Sequence, residues 1–178
     1  MTVSLILLEI HGQKDLAGDV TVEGFVGHMA IESFEWSVRA ETVETARAAP
    51  KTTVKTQMLS LRKQFDSAST ALCQLMEGDK SFNATLRCVD PSTRGKGGSA
   101  GQATFDSVLE IELVDCHIES IALRADDSGT AVSMSEDIEL SFEKSITFNY
   151  RSYDPAQQIR NRAVTARIDT AAKASAGK

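Results

Sequence analysis

Residues 54–72, which read VKTQMLSLRKQFDSASTAL, decide the fold of this chain because they predict a β-strand that leads straight into an amphipathic helix. The first part alternates apolar and polar side chains, as a half-buried strand does. Asp66 or Ser67 then offers an oxygen to cap the helix, and Gly78 suits the left-handed position after the last turn. The apolar stripe of the predicted helix consists of Ala68, Ala71, Leu72, Leu75 and Met76.

Most of the remaining chain has the alternating pattern of β-strands. Residues 138–150 keep their apolar side chains on one parity, and Lys144 interrupts the pattern, which predicts a bend there. Residues 105–121 change parity near Leu113, and residues 29–38 also change parity, so a bulge or a sheet corner is expected in each. Two such changes favour strands that curve around a core. We therefore predict a mainly β fold, a two-sheet β-barrel with one flanking α-helix.

Composition excludes several classes of protein. The 178 residues suffice for one core that buries roughly 70% of the surface of the unfolded chain. A net charge of −6 argues against a nucleic-acid or anionic-membrane partner. Cys73, Cys88 and Cys116 are widely spaced and odd in number, which predicts neither a disulfide framework nor a redox motif and favours the cytoplasm. The apolar run at residues 5–8 is too short for a signal peptide or a membrane span, so we expect neither.

Two segments depart from the strand pattern. Residues 151–178 are Ala-rich and carry six Lys or Arg against two Asp, so we divide the chain into a β domain of residues 1–150 and this basic tail. Such a tail either lies on an acidic surface of its own or a neighbouring subunit, or is a frayed, solvated terminus. Residues 39–53 have few large apolar groups and exceed the length of a compact hairpin, which predicts a long loop that contacts a partner.

No group of residues predicts an enzyme, a cofactor site or a metal site. Cys116 and His117 are adjacent on a predicted strand and would point to opposite faces, so we interpret them as a core thiol and a surface imidazole. His11 and His28 are far from His117 in sequence, and no paired metal-ligand motif is present. Residues 94–99 contain glycines and a lysine, but they lack the spacing of a phosphate-binding loop.

The order of motifs in residues 1–150 resembles the Hcp (haemolysin-coregulated protein) family, the tube proteins of bacterial type VI secretion. That family has an apolar strand, a turn with glycine and charge, a histidine, two aromatics that flank one residue, a strand that leads into a helix, and a final strand that ends in tyrosine. The matching segments here are, in that order, residues 5–10, residues 12–19, His28, residues 34–36, residues 54–72 and residues 136–150.

This resemblance implies an architectural protein rather than an enzyme. The expected assembly is a homo-hexameric ring that stacks on further rings to form a tube, which a contracting sheath expels with effector proteins in its lumen. The implied partners are other copies of the chain and the sheath, spike and effector proteins, and the implied route is secretion from the cytoplasm through the apparatus. A tail-tube protein of a contractile phage or phage-derived injection particle is one alternative. A small ligand-binding or enzymatic β-barrel is another.

The resemblance also implies contact residues. Glu35 corresponds to the lumen-facing position, where the family would be expected to have a small neutral residue. Only residues 159–161 resemble the strand with Trp and Asn that often ends members of the family. The extended loop would reach neighbouring subunits or the next ring through Arg39, Glu41, Glu44, Arg47, Pro50 and Lys51.

Overall fold

The computed structural model describes residues 5–13, 16–45, 48–94, 105–127, 129, 131–154 and 159–170. These ranges hold ten strands and one helix, so the prediction of a mainly β fold with one helix is confirmed. The elements are β1 Leu5–Ile10, β2 Met29–Ile31, β3 Ser33–Glu35, β4 Val38–Thr45, β5 Ala48–Thr56, β6 Leu59–Gln64, α1 Ser69–Glu77, β7 Phe82–Arg94, β8 Phe105–Asp127, β9 Val132–Asp154 and β10 Ile159–Asp169.

Eight of the strands form one antiparallel sheet. Its order is β2-β1-β7-β8-β9-β6-β3, and β10 also pairs with β9, while β4 and β5 form a separate two-stranded sheet. The terminal strands β2 and β3 are consecutive in the chain, and the amide of Glu32 between them donates to the carbonyl oxygen of Arg62 at 2.7 Å. In the part of the chain that the structure describes, the paired strands do not close into a barrel, so the two-sheet barrel stays a prediction.

The predicted bends lie where the strand pairing changes. The pairing of β8 with β9 shifts at Asp115, whose φ is 64°, and Glu143 and Lys144 lie opposite it. This bulge confirms both the bend predicted at Lys144 and the one predicted near Leu113. The parity change in residues 29–38 lies at Glu32, where the chain leaves β1 and begins to pair with β6.

The main core lies between one face of the sheet and α1. It contains Leu72 and Leu75 of the helix together with inward side chains such as Leu59, Ile111 and Leu140. A smaller cluster on the opposite face of the sheet is formed by Leu7, Phe25 and Val89. Because apolar neighbours cover both faces of β1, its sequence is a continuous apolar run rather than an alternating one.

Both ends of the helix differ from the prediction. Ala68 is the N-cap and makes no side-chain capping bond; the Oδ1 atom of Asp66 instead accepts the amide of Ala68 at 2.9 Å. Ser67 donates its hydroxyl to Asp19 and does not cap the helix. Gly78 has φ −74°, and the left-handed conformation belongs to Asp79, with φ 46°. Aspartate tolerates this conformation better than most residues, so a glycine is not required.

A buried lysine joins β6, β9 and the start of the helix. Lys63 is completely buried, and its Nζ donates to Oε1 of Glu136 at 2.6 Å and to Oδ1 of Asp66 at 2.8 Å. The Oγ of Ser69 accepts from the same Nζ at 3.1 Å and donates to Oε1 of Glu136 at 2.9 Å. All four residues come from two of the segments that carried the family resemblance, residues 54–72 and 136–150, and their contact explains why these residue types occur together.

Replacing Lys63 with methionine is expected to lower the free energy of unfolding by about 3–5 kcal/mol, because Glu136 then stays buried without its cation. Arg62→Met is the matched control, since the neighbouring Arg62 forms an exposed ion pair with Asp137, and it should lose about 1 kcal/mol or less. Urea unfolding at one fixed protein concentration measures both. Equal losses of unfolding free energy in the two variants would contradict the role of the buried ion pair. A Lys63→Met/Glu136→Met double variant that is less stable than Lys63→Met alone would also contradict it.

Replacing Gly18 with alanine is expected to lower the free energy of unfolding by about 1–3 kcal/mol through overpacking. The reason is that a Cβ there would lie 2.5 Å from the carbonyl oxygen of His28. Gly78→Ala is the control, because its φ of −74° suits any residue and its nearest neighbour would be 3.4 Å away. It should be neutral or gain about 0.4–1 kcal/mol. Thermal unfolding that ranks the two variants in the opposite order would contradict this reading of both turns.

Candidate functional site

The segment predicted as a long loop is a two-stranded hairpin. Its strands pair from Val38 opposite Thr56 to Thr45 opposite Ala48. At its base, the Oγ of Ser37 donates to Oε1 of Gln57 at 2.6 Å. The prediction that this segment is not a compact hairpin is therefore wrong. The reason is that its many Thr and Val residues favour strands even though few of its side chains are large and apolar.

One face of the hairpin is charged. Arg39 and Glu41 are exposed on β4, and the carboxylate of Glu41 forms an ion pair with Nζ of Lys55 on β5 at 2.7 Å. Arg39 lies directly opposite Lys55 in the pairing, so the three side chains share this face. The structure therefore brings together two of the predicted contact residues and adds Lys55, which the sequence analysis did not single out.

The other predicted contact residues lie near the turn of the hairpin. Glu44 lies on β4, and Pro50 and Lys51 lie on β5. The pairing is irregular beside Glu44, so that two residues of β5, one of them Pro50, lie opposite it. A bulge on an edge strand accommodates proline, because no ladder bond needs its missing N–H. Arg47 lies outside the described residues.

At residues 38–42 and 54–56, where the structure describes side chains, the opposite face of the hairpin has no charged group. Ala40 pairs with Val54 across the two strands, and Val38 lies beside them. Val38 is 40% exposed and Val54 is 58% exposed. We call Val38, Ala40 and Val54 the Val54 face.

Glu35 lies on a concave polar surface of the main sheet. Its side chain is exposed, and it pairs with Ser60 of β6, whereas the neighbouring Phe34 packs against the core. The concavity has a volume of about 530 Å³ and extends over β3, β6, β9 and β8. We call it the Glu35 surface, after its charged and polar members Glu35, Ser60, Arg62, Arg124, Asp137 and Glu139.

Ion pairs hold the charges of the Glu35 surface in place. Asp137 accepts from Nε of Arg62 and from Nε of Arg124, each at 2.7 Å, and these bonds, that from Arg62 above all, hold the pKa of Asp137 below its ordinary value. Glu139 accepts the hydroxyl of Ser120 at 2.9 Å. Such a surface is suited to contact with water or with polar groups. The family resemblance pointed to Glu35 but not to these other members of the surface, because they lie on strands far from it in the chain.

An apolar groove lies between α1 and the second half of β8. Its volume is about 420 Å³, and we call it the α1–β8 groove; Phe65, Cys73, Met76, Ile121 and Leu123 line most of it, and Glu77 and Glu136 complete the lining. Met76 is 41% exposed, so its predicted place in the buried stripe is wrong. Phe65 is 43% exposed and Leu123 is 54% exposed. The sequence analysis missed this groove, although Leu123 lies only two residues beyond the predicted end of its strand.

The side chains considered for chemistry do not assemble into a reactive site. Burial raises the pKa of the Cys116 thiol to about 12, which keeps it protonated at neutral pH. The Nδ1 atom of His117 lies 3.8 Å from Oδ1 of Asp79. Within the described ranges, no three His, Cys, Asp or Glu side chains lie close enough together to bind a metal ion. Residues 95–99 of the glycine-rich stretch lie outside these ranges. No described helix is long and apolar enough to cross a bilayer.

Comparison with known protein families shows which family the chain belongs to. The family model described as "Type VI secretion system effector, Hcp" matches residues 7–150. The chain belongs to the Hcp family. This makes it a tube protein of a type VI secretion system, from a structural, secreted family that is not an enzyme family. The matched family is the secretion-system one and not the phage tail tube that the sequence left as an alternative.

Solved structures of Hcp proteins share the fold. Hcp1 from Salmonella typhimurium is 20% identical, with a TM-score of 0.67 over 93% of this chain and 94% of that one. Hcp1 from E. coli EAEC 042 is 17% identical, with a TM-score of 0.64 over 93% and 97%. Hcp2 from Salmonella typhimurium is 18% identical, with a TM-score of 0.60 over 93% and 95%. Among proteins with a curated description, none matches this chain by sequence.

Proposed function

We propose that this Hcp protein forms hexameric rings that stack into the inner tube of a type VI secretion system and carry effector proteins in the lumen. The observation that supports this is a main sheet with free edges. Over its 11 residues β10 pairs on one side with β9, and β8 beyond Cys116 also pairs only with β9, as far as the described residues extend. Free strand edges join other chains. Contacts between two different surfaces of one protein close into rings when the rotation allows.

In the proposed ring each subunit is a two-sheet barrel with α1 on its flank. The hydrogen bond from Glu32 to Arg62 supports this, because it draws together the two ends of the main sheet. Residues 1–150 are the ring-forming domain in this proposal, and residues 151–178 are a basic tail. Part of that tail adds an edge strand to the domain, since Val164 of β10 pairs with Tyr150 of β9.

We assign the Glu35 surface to the lumen and the hairpin to contacts between subunits or stacked rings. A surface of ion-paired side chains such as Arg62 and Asp137 stays hydrated at little cost in free energy. The wall of a water-filled lumen must do the same. Within the described residues, β4 and β5 form a two-stranded sheet separate from the main one. The subunit interface would use Arg39, Glu41, Glu44, Arg47, Pro50 and Lys51. The tube would then leave the cytoplasm through the apparatus, with sheath, spike and effector proteins as its partners.

Negative-stain microscopy of the purified protein tests the assembly. Annular particles with six-fold symmetry are expected, held by subunit interfaces that bury more than ~1,000 Å² in total. Light scattering over a concentration series gives the matching mass. A protein that stays monomeric at the highest concentration would contradict the proposal.

Replacing Glu35 with arginine is expected to leave the rings intact and to change the amount of co-expressed effector that purifies with them. The reason is that an exposed, lumen-facing charge contacts cargo and not a neighbouring subunit. Glu35→Gln is the matched control, since it removes the charge without reversing it and should have the smaller effect. Microscopy measures the rings, and quantitative gels measure the bound effector. Loss of the rings in Glu35→Arg would place this side chain at a subunit interface instead.

A further inference from the structure

The Glu35 surface carries negative charge without a basic partner, and the described part of the basic tail ends beside it. We infer that residues 171–178, which lie outside the described residues, form a strap over the Glu35 surface of their own chain. In this arrangement Lys173 and Lys178 pair with carboxylates of the surface, so cargo has to displace the strap. The contact itself does not require a ring, whereas its effect on cargo rests on the proposed function.

The charges that the Glu35 surface offers to a partner are negative. Asp137 accepts from both guanidinium groups of the surface, those of Arg62 and Arg124, so an acidic partner would have to compete with it. Glu139 accepts a serine hydroxyl, and Glu35 is exposed. Neither of these two carboxylates forms an ion pair with a basic side chain among the described residues. A partner that complements this surface therefore supplies cations.

The two carboxylates lie in one row across the sheet, and β10 ends in line with that row. Glu35 pairs with Ser60 of β6, and Ser60 pairs with Glu139 of β9. Both β6 and β10 pair with the edge of β9 that β8 leaves free, and β10 precedes β6 along that edge. The amide of Thr170, just past the end of β10, donates to the carbonyl oxygen of Lys144 at 3.0 Å.

The position of β6 determines where the chain can go after Thr170. Because β6 already occupies the next part of this edge, residues 171–178 cannot continue as a strand on β9 and have to leave the sheet. The inward face leads into the apolar core around Leu59 and Leu140, where a lysine would be buried without a partner. The outward face leads onto the Glu35 surface, which is polar.

The tail segment has the length and the composition for this path. Residues 171–178 read AAKASAGK, with two lysines and no acidic residue, and the other side chains are small. Glu139 lies five residues from Lys144 along β9, which corresponds to about 17 Å. Eight extended residues span at most about 26–29 Å, so the segment can reach the row and cross it.

Thiol labelling of full-length protein that carries Ser60→Cys tests whether the surface is covered. Deletion of residues 171–178 is expected to make a maleimide label this thiol at least about twofold faster, as for a site covered half of the time or more. Lys173→Gln/Lys178→Gln should label as fast as the deletion variant, because it keeps the segment and removes its cations. Lys80→Gln is the matched control, since this exposed lysine lies beside α1, and it should label as slowly as the full-length protein.

A second thiol identifies the chain that supplies the strap. In a Ser60→Cys/Ser175→Cys variant with Cys73→Ser, a short bis-maleimide should form the cross-link within one chain. Denaturing gels then show a band of monomer mass, and peptide mapping by mass spectrometry shows the linked pair. A ladder of dimers and higher species instead would mean that a neighbouring copy supplies the strap, which would overturn the inference.

The remaining outcomes also decide the inference. Equal labelling of the full-length and deletion proteins would overturn it, with the exposed native thiol of Cys73 as the internal standard. Slow labelling of Lys173→Gln/Lys178→Gln would overturn it too, because charge would then not hold the segment. Should Ser60→Cys fail to fold, Ser33→Cys on the same surface replaces it.

Microscopy of the same samples separates this inference from the proposed function. Rings whose Glu35 surface is uncovered would contradict the strap alone. A covered surface in a protein that forms no rings would contradict the proposed function alone.

Discussion

The buried contact between Lys63 and Glu136 is the interaction on which the arrangement of the candidate surfaces depends. A buried ion is expensive to desolvate unless every polar neighbour is in place, so this contact tolerates one register of β6 on β9. With Lys63 and Glu136 facing inward, strand alternation turns the adjacent Arg62 and Asp137 outward, where they form part of the Glu35 surface. The same lysine holds Asp66 at the start of α1, and that helix is one wall of the α1–β8 groove. One register therefore determines both surfaces.

Much of the fold could be predicted because strand parity is a local property that survives in the sequence. The parity change near Leu113 and the break at Lys144 proved to be two sides of one bulge at Asp115. The left-handed residue after the helix was misplaced at Gly78, because glycine is only the most permissive choice and Asp79 adopts that conformation instead. The hairpin was misread as a loop, since the search for large apolar side chains overlooked the strand preference of its Thr and Val residues.

The candidate surfaces were less predictable than the fold because they join residues that are distant in sequence. Glu35 was singled out through the family resemblance, whereas Asp137 and Arg124 share its surface only because of the strand order β3-β6-β9-β8. The α1–β8 groove gave a weaker signal still. Met76 continues the helical stripe, and Leu123 lies beyond the predicted end of its strand, so neither was expected to line a groove. Exposure depends on where the rest of the core ends, and local periodicity does not contain that information.

A contact between two different surfaces of one chain is head-to-tail, and this limits the kinds of assembly that the chain can form. In the described part of the chain, the free edges of β10 and of β8 beyond Cys116 are different surfaces, so a contact between them would leave one unused edge at each end of a pair of copies. A dimer held by that contact would leave two edges unpaired, and growth would continue until a ring closes or a filament extends. A chain built in this way gains little from pairing and most from closure, which is the property that a tube subunit needs.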